Sequence, residues 1–273
     1  MSLRINTNVE AFNAHRQLGR TQNDLARSIE KLSSGLRINR AADDAAGLAI
    51  SEKLRAQIRG LAQASRNASD GVSLVQTAEG ALEEVHSIVQ RVRELAVQFQ
   101  NGTMSSADRA AIVAEVSQLS SEVGRIAATT KFNGIALLDS SATITFQVGA
   151  NAGETITMSA VAIVGGSPAV IDPAIFAFSI TTGIDINFVG AALSSVADTR
   201  AQLGAVQNRL EHTINNLLVY QENLQASESR IRDVDMAAEM ANMTRLQILS
   251  QSGTAMLAQA NQTPQTVLQL LQN

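Results

Sequence analysis

From residue 45 to about residue 100 the apolar positions fall into two rows that repeat every seven residues. Val75, Leu82 and Val89 form one row, and Ala78, Val85, Val92 and Phe99 form the other, while Glu83, Glu84, Arg91, Arg93 and Glu94 lie off the seam. Two apolar rows per heptad with charges outside them predict a helix packed lengthwise against another helix. At about 1.5 Å per residue, that helix reaches roughly 80 Å. Asp43 and Asp44 stand just ahead of it, where carboxylates accept from free first-turn amides and suit the positive end of the helix dipole. Asn101-Gly102 is a matching stop, and Ser105-Ser-Ala-Asp108 reads as a capping box with Asp in place of the usual Glu or Gln. Ile112, Val116, Leu119, Val123 and Ile126 then continue at helical spacing, so 45–100 and 105–129 are expected to form an antiparallel pair.

A second periodic signal occupies the other half of the chain. Val196, Leu203, Leu210, Leu217, Leu224 and Ile231 recur every seven residues, with Val206, Tyr220 and Val234 sharing a companion row with Thr199, Thr213 and Ser227. A helix is expected from Gly190 to about Asp233, with one apolar seam and one mixed seam. Between the helical halves, at about 131–189, the pattern changes to β-branched alternation broken by Gly, Asn, Ser and Pro. Thr143-Ile-Thr-Phe-Gln-Val148, Thr155-Ile-Thr-Met158 and Ile184-Asp-Ile-Asn-Phe-Val189 read as short strands.

The two ends differ again. Val9, Phe12, Leu18, Leu25, Ile29, Leu32 and Leu36 predict a weakly amphipathic helix near the start. After Arg245 there is no charged residue, yet Leu246, Leu249, Met256, Leu257, Leu268 and Leu271 recur on a background of Gln, Ser and Asn. A charge-free amphipathic segment needs a partner to cover it, from this chain or another.

Composition sharpens the picture. Of 273 residues, 45% are hydrophobic but only 3% aromatic, with no Trp and a single Tyr, so contacts along helix seams replace a thick aromatic core. The net charge of -4 leaves no basic footprint for nucleic acid. The absence of Cys excludes disulfides and thiolate chemistry. The opening residues carry no charged-then-apolar-then-small pattern, so a conventional secretory signal is not expected. The apolar stretch Met158 to Phe178 is broken by Gly165, Gly166, Pro168, Asp172 and Pro173, which excludes a membrane span there.

Candidate chemistry is sparse. His15, His86 and His212 sit at ordinary helix positions outside any metal-binding spacing. The acidic pairs Asp43/Asp44 and Asp233/Asp235 read as helix ends and junctions instead of catalytic carboxylates. Gly35, Gly47, Gly60, Gly71 and Gly80 follow no phosphate-loop pattern and are expected to permit close packing or bending. Asn67-Ala-Ser69, Asn101-Gly-Thr103 and Asn242-Met-Thr244 match the glycosylation acceptor pattern, which is common by chance. No catalytic, cofactor or metal site is expected.

Longer motifs carry a resemblance. Arg4-Ile-Asn-Thr-Asn8 and Ser33-Ser-Gly-Leu-Arg-Ile-Asn-Arg-Ala-Ala-Asp-Asp-Ala-Ala-Gly-Leu-Ala-Ile-Ser51 resemble the N-terminal region of bacterial flagellins. Glu222-Asn-Leu-Gln-Ala-Ser-Glu-Ser-Arg-Ile-Arg-Asp-Val-Asp-Met236, Gln247-Ile-Leu249 and Ala258-Gln-Ala-Asn-Gln-Thr-Pro264 resemble the C-terminal region. Lys131-Phe-Asn-Gly-Ile-Ala-Leu-Leu-Asp139 and Phe146-Gln-Val-Gly-Ala-Asn-Ala-Gly153 resemble the hairpins between them. The similarity covers about 1–155 and 190–273; the middle, 156–189, is too short for the large outer domains many flagellins insert.

The resemblance implies a mainly α fold: long antiparallel helices in a coiled-coil-like bundle with a small β-hairpin region, the terminal helices pairing as a separate inner domain. It places 1–43 with 233–273 in the inner tube of a filament and 44–232 in the outer bundle. The subunit would be no enzyme; it would self-assemble head-to-tail into the extracellular flagellar filament that drives swimming. Leu18, Leu25, Ile29, Leu32, Leu246, Leu249, Met256, Leu257, Leu268 and Leu271 would carry polymerisation. The implied partners are copies of itself, a flagellar export chaperone holding the C-terminal helix, and hook-associated and cap proteins, with export through the flagellar secretion channel. Gln90-Arg-Val-Arg-Glu-Leu-Ala-Val97 resembles the stretch recognised by the Toll-like innate receptor, which would place that contact on Arg91, Leu95 and Glu115; sugar on Ser or Thr within 139–195 is a further family trait. The alternatives are a hook-filament junction protein, an adhesin using the middle segment, and a coiled coil that never polymerises.

Overall fold

A computed structural model describes residues 8–139, 143–159, 163 and 186–271, with side chains of the last helix described to residue 262. The heptad rows become helices α1 (Val9–Ser34), α2 (Ala45–Phe99), α3 (Ser106–Thr129), α4 (Ile186–Arg232) and α5 (Met236–Leu271). Among the described residues, four short strands lie between α3 and α4: β1 (Lys131–Phe132), β2 (Ile135–Ala136), β3 (Thr143–Gln147) and β4 (Thr155–Ser159). The chain divides into two compact units, Gln57–Glu222 and the pair of segments Met1–Ala56 and Asn223–Asn273.

The unit Gln57–Glu222 holds the main core. Leu82, Val85, Val89 and Val92 of α2 meet Val116 and Val123 of α3 and Val196 and Leu210 of α4, all almost fully buried. Each such side chain contributes on the order of 1.5–3 kcal/mol of transfer free energy, so a seam of modest aliphatic residues suffices without Trp or Tyr. α2 and α3 run antiparallel: the Arg91 guanidinium binds the Glu115 carboxylate at 2.9 and 3.0 Å, and further along Arg109 lies over the Phe99 ring at 5.3 Å. α3 opens with the capping box expected of it. The Ser105 hydroxyl accepts from the Asp108 amide at 3.2 Å, and the Asp108 carboxylate accepts from the Ser105 amide at 3.1 Å and hydroxyl at 2.7 Å. Those two hydrogen bonds, the hydroxyl's first, hold the Asp108 carboxyl below its ordinary range.

Both hairpins are antiparallel. β1 and β2 are joined by Asn133-Gly134 at φ 48° and 82°, the left-handed pair that a two-residue primed turn requires. In β3 and β4, Ile144 pairs with Met158 and Phe146 with Ile156, and Ile156 and Met158 are buried while their neighbours face solvent. The hairpin packs on α2 at glycines. A Cβ at Gly71 would lie 3.1 Å from the Phe146 ring and 3.2 Å from Leu210 Cδ1, and one at Gly60 would lie 2.9 Å from the Ala150 Cβ. The loop between β3 and β4 is tied by Glu154, whose carboxylate accepts from the Asn151 side chain and backbone at 3.0 Å each, bonds that lower its pKa.

One reading is corrected. Ile186–Val189 is not strand but the first turn of α4, because Val189, seven residues before Val196, extends the same buried row. The heptad register overrides the local β-branched alternation. The first two residues of that expected strand, Ile184 and Asp185, fall within 164–185, outside the described residues.

In the other unit α1 packs along α5. α1 starts with Asn8 accepting from the Ala11 amide at 3.0 Å and ends at Gly35, φ 71°, whose amide reaches the Lys31 carbonyl. The two acidic residues before α2 do different jobs. Asp44 caps the helix, accepting from the Gly47 amide at 2.9 Å, while Asp43 turns back to the Asn39 and Arg40 amides at 3.2 and 3.0 Å. Those backbone bonds, the one from Arg40 first, lower the Asp43 pKa.

Candidate functional site

The seam between α1 and α5 follows from spacing. On α1, Ala11, Ala14, Leu18, Thr21, Leu25, Ser28 and Leu32 alternate three and four residues apart and turn away from solvent; on α5, Glu239, Met243, Leu246, Ser250, Gly253, Leu257 and Ala260 do the same. Asn8 Nδ2 donates to the Ala260 carbonyl at 2.6 Å and the Ser28 hydroxyl donates to Glu239 at 2.5 Å, which sets an antiparallel register. Gly253 lets Leu18 approach: a Cβ there would lie 3.2 Å from Leu18 Cδ1. Within this seam only Thr21 and Ser28 are buried, and both are polar. Two helices alone hide one narrow stripe each, so the leucines stay half-covered.

Apolar residues therefore remain outside the seam. Phe12 is 71% exposed, Met256 65% and Leu249 49%, and Val9, Ile29, Met236, Met240 and Ile248 are exposed as well. On α5 they flank the seam on both sides, with Met236 and Met240 one turn apart on one flank and Leu249 and Met256 on the other. The expected polymerisation residues divide accordingly. Leu18, Leu25, Leu32, Leu246 and Leu257 line the intramolecular seam; Ile29, Leu249 and Met256 face outward. Leu268 and Leu271 fall in α5 where side chains lie outside those described. Met236, Met240 and Ile248 escaped the sequence reading, although the i, i+4 spacing of the two methionines was visible.

Where the four chain segments of this unit meet, the backbone is cross-tied. Arg37 donates its amide to the Arg232 carbonyl at 2.6 Å, Val234 donates to Gly35 at 3.0 Å, and Leu36 pairs with Asp233. Arg232, buried, donates to Glu52 at 2.6 Å, and Arg55 donates to Glu228 at 3.0 Å. Asp235 opens α5 by accepting from the Ala237 and Ala238 amides. Asp233 and Asp235 thus stand at a helix junction.

In the unit Gln57–Glu222, the stretch 90–97 presents a mixed surface. Arg91 is half-exposed and bridges Glu94 at 3.0 Å and Glu115 at 2.9 Å. Leu95, at 1% exposure, belongs to the core and not to that surface. Beside it, Gln90, Arg93, Glu94 and Val97 line an open groove with Leu193. Leu218, Val219 and Tyr220 of α4 are also exposed. Asn67 already spends its amide on the Gln147 carbonyl at 3.1 Å, and His86 contacts Gln90 at 2.9 Å. Among the described residues no group of three or more His, Asp or Glu could hold a metal ion, and no helix is long and apolar enough to cross a membrane.

Comparison with known proteins is consistent with these features. Residues 5–143 match the family model described as the bacterial flagellin N-terminal helical region, and residues 186–271 match that of the C-terminal helical region. Flagellin of Halalkalibacterium halodurans is 57% identical over 272 residues, covering 98% of this chain and 99% of that protein. Flagellin of Bacillus subtilis is 51% identical over 303 residues, covering 98% and 100%. Flagellin FlaB2 of Treponema pallidum is 48% identical over 285 residues, covering 98% and 99%. Two matched terminal regions in the right order, on a helical chain whose first and last helices pair, mean that the chain belongs to the bacterial flagellin family.

Proposed function

We propose that this chain is a structural subunit of the extracellular flagellar filament, adding head-to-tail to copies of itself through the paired α1 and α5. The observation that carries the reading is the apolar surface left outside the seam, Phe12, Ile29, Leu249 and Met256 among it, on helices that satisfy each other only along one polar-interrupted stripe. Identical copies packed around such a pair bury those flanks, and a heterologous contact that does not close generates a helical filament. For that filament the proposed division is 1–43 with 233–273 in an inner tube and 44–232 in the outer bundle, bounds that differ from those of the compact units Gln57–Glu222 and Met1–Ala56 with Asn223–Asn273. Leu18, Leu25, Leu32, Leu246 and Leu257 hold the pair together, while Ile29, Leu249 and Met256 meet neighbours; Leu268 and Leu271 extend the same helix.

Before assembly an α5 with exposed apolar flanks needs protection. The partner of matching chemistry is a flagellar export chaperone that covers it until passage through the secretion channel, with hook-associated and cap proteins meeting the same ends in the growing structure. The test is seeded assembly of purified chain, followed by negative-stain electron microscopy, beside a form lacking 1–43 and 233–273. Long uniform filaments from the intact chain alone are expected; no filaments from either overturns the reading.

A second reading rests on the half-exposed Arg91 with Glu115 beside it. These charges form the contact for a Toll-like innate receptor, with Leu95 acting from beneath by fixing α2. Arg91→Ala monomer is expected to lose reporter signalling in receptor-bearing cells while keeping its helical spectrum; unchanged signalling removes this role.

A further inference from the structure

The chain has no Cys and seven Met, four of them in α5 between residues 236 and 256. Thioethers are consequently its softest oxidisable groups. Their environments differ sharply. Met236, Met240 and Met256 are 47%, 53% and 65% exposed, Met243 and Met104 are half-buried, and Met158 is sealed in the core at 4%. These three exposed methionines lie on both flanks of the α1–α5 seam, among the apolar residues the chain leaves uncovered.

We propose that Met236, Met240 and Met256 are oxidant-sensitive modification sites, at which sulfoxidation by a hydroperoxide stops the subunit from joining a filament. This rests on the assembly reading above. The chemistry balances: the sulfur lone pair attacks the terminal OH oxygen of the hydroperoxide, the O–O bond breaks with its electron pair going to the departing oxygen, and the proton on the sulfur-bound oxygen passes to that departing group, leaving sulfoxide and an alcohol, or water when the oxidant is hydrogen peroxide. The product replaces a flexible apolar side chain with a strong hydrogen-bond acceptor at a surface that assembly must dehydrate. It does not disturb the monomer, because none of the three sulfurs supports the core. In the assembled state the same flanks are covered, so the reaction distinguishes free subunit from filament. Reversal needs only sulfoxide reduction, which makes this a reversible block on growth instead of a lesion.

The test treats the full-length monomer and, separately, preformed filaments with limiting hydrogen peroxide. Peptide mass spectrometry then places the oxidation, and seeded elongation is followed by light scattering. The expected order of oxidation in monomer is Met256, Met240 and Met236 ahead of Met243 and Met104, with Met158 last, and the three leading sites are protected in filaments. Oxidised monomer is expected to elongate roughly tenfold more slowly or worse, because three side chains that assembly would bury have turned polar. Methionine sulfoxide reductase is expected to restore the rate, and the triple variant Met236→Leu, Met240→Leu, Met256→Leu is expected to elongate at a similar rate before and after peroxide. Oxidised monomer elongating at the untreated rate, a leucine variant as inhibited as the wild type, or equal oxidation of these sites in filament and monomer overturns the inference while leaving the assembly reading intact. Untreated monomer that never elongates seeds overturns both.

Discussion

Two glycines of α2 offer a matched test of how the β3–β4 loop is seated. At Gly80 a Cβ would meet nothing within 4 Å, whereas at Gly60 it would lie 2.9 Å from the Cβ and 3.4 Å from the Cα of Ala150. In a helix interior, Gly to Ala is worth about 0.8–1 kcal/mol, and Gly80→Ala should realise all of it. At Gly60 the ordinary carbon–carbon separation of about 3.5–4.0 Å requires the loop to retreat by roughly 0.6 Å or more. The loop is poorly placed to do so: Gln147 Nε2 donates to the Gly149 and Asn151 carbonyls at 2.9 and 2.7 Å, Val148 donates to Glu154 at 2.9 Å, and Asn67 holds the Gln147 carbonyl. Overpacking of this kind costs about 1–3 kcal/mol, which outweighs the propensity gain. Gly60→Ala should therefore be less stable than Gly80→Ala by about 2 kcal/mol, a gap of about 4–8 °C in Tm for a domain of this size. Thermal unfolding of monomer followed by circular dichroism at 222 nm measures it. Equal stabilisation by the two substitutions would refute the claim that Ala150 closes on Gly60.

Other predictions address the core, the cap and the assembly flank. Leu82→Ala, at a fully buried position, should cost about 3–4 kcal/mol in urea unfolding, while Leu18→Ala in the half-covered α1–α5 seam should cost less than half as much; similar losses would show that the seam is a core in its own right. Asp108 is depressed in the folded chain, so its contribution is present above the unfolded carboxyl pKa and fades as pH falls through the lower folded value. Wild type should lose stability relative to Asp108→Asn on acidification below about pH 4, and parallel pH profiles would discount the capping box. Leu249→Ser, outward on α5, should leave monomer unfolding unchanged and slow seeded elongation; a shifted unfolding midpoint would place Leu249 inside the subunit.

The long helices were legible because periodicity is local and repetitive. Val196, Leu203, Leu210 and Leu217 repeat often enough to fix α4, and all four are buried. The same repeat, read one heptad earlier at Val189, would have corrected the expected strand at Ile186–Val189, where β-branched composition took precedence over register. The acidic pair before α2 shows the resolution limit of capping rules: Asp44 caps the helix, while Asp43 satisfies the preceding turn, a choice made by where Asn39 and Arg40 place their amides. The expectation for glycines holds at Gly60 and Gly71, which admit the hairpin, but not at Gly80, which meets nothing, and Gly35 is a helix stop. At the termini, apolar residues could be counted but not sorted. Which side of α5 faces α1 depends on a partner over two hundred residues distant, and no local pattern encodes that choice. Leu95 illustrates the same gap, since its place in the 90–97 stretch says nothing of its burial.

The Asn8 to Ala260 hydrogen bond spans 252 residues of sequence. α1 precedes α5 by the whole central unit, so it has to wait for α5 before that pair can form, after the heptads between them could have closed locally. A chain cut short between α4 and α5 would keep the residues of its central core and yet display an α1 with no mate. Closure of the α1–α5 pair thus couples one end of the fold to the other, and a chain that lacks α5 carries that lack as an uncovered face on α1.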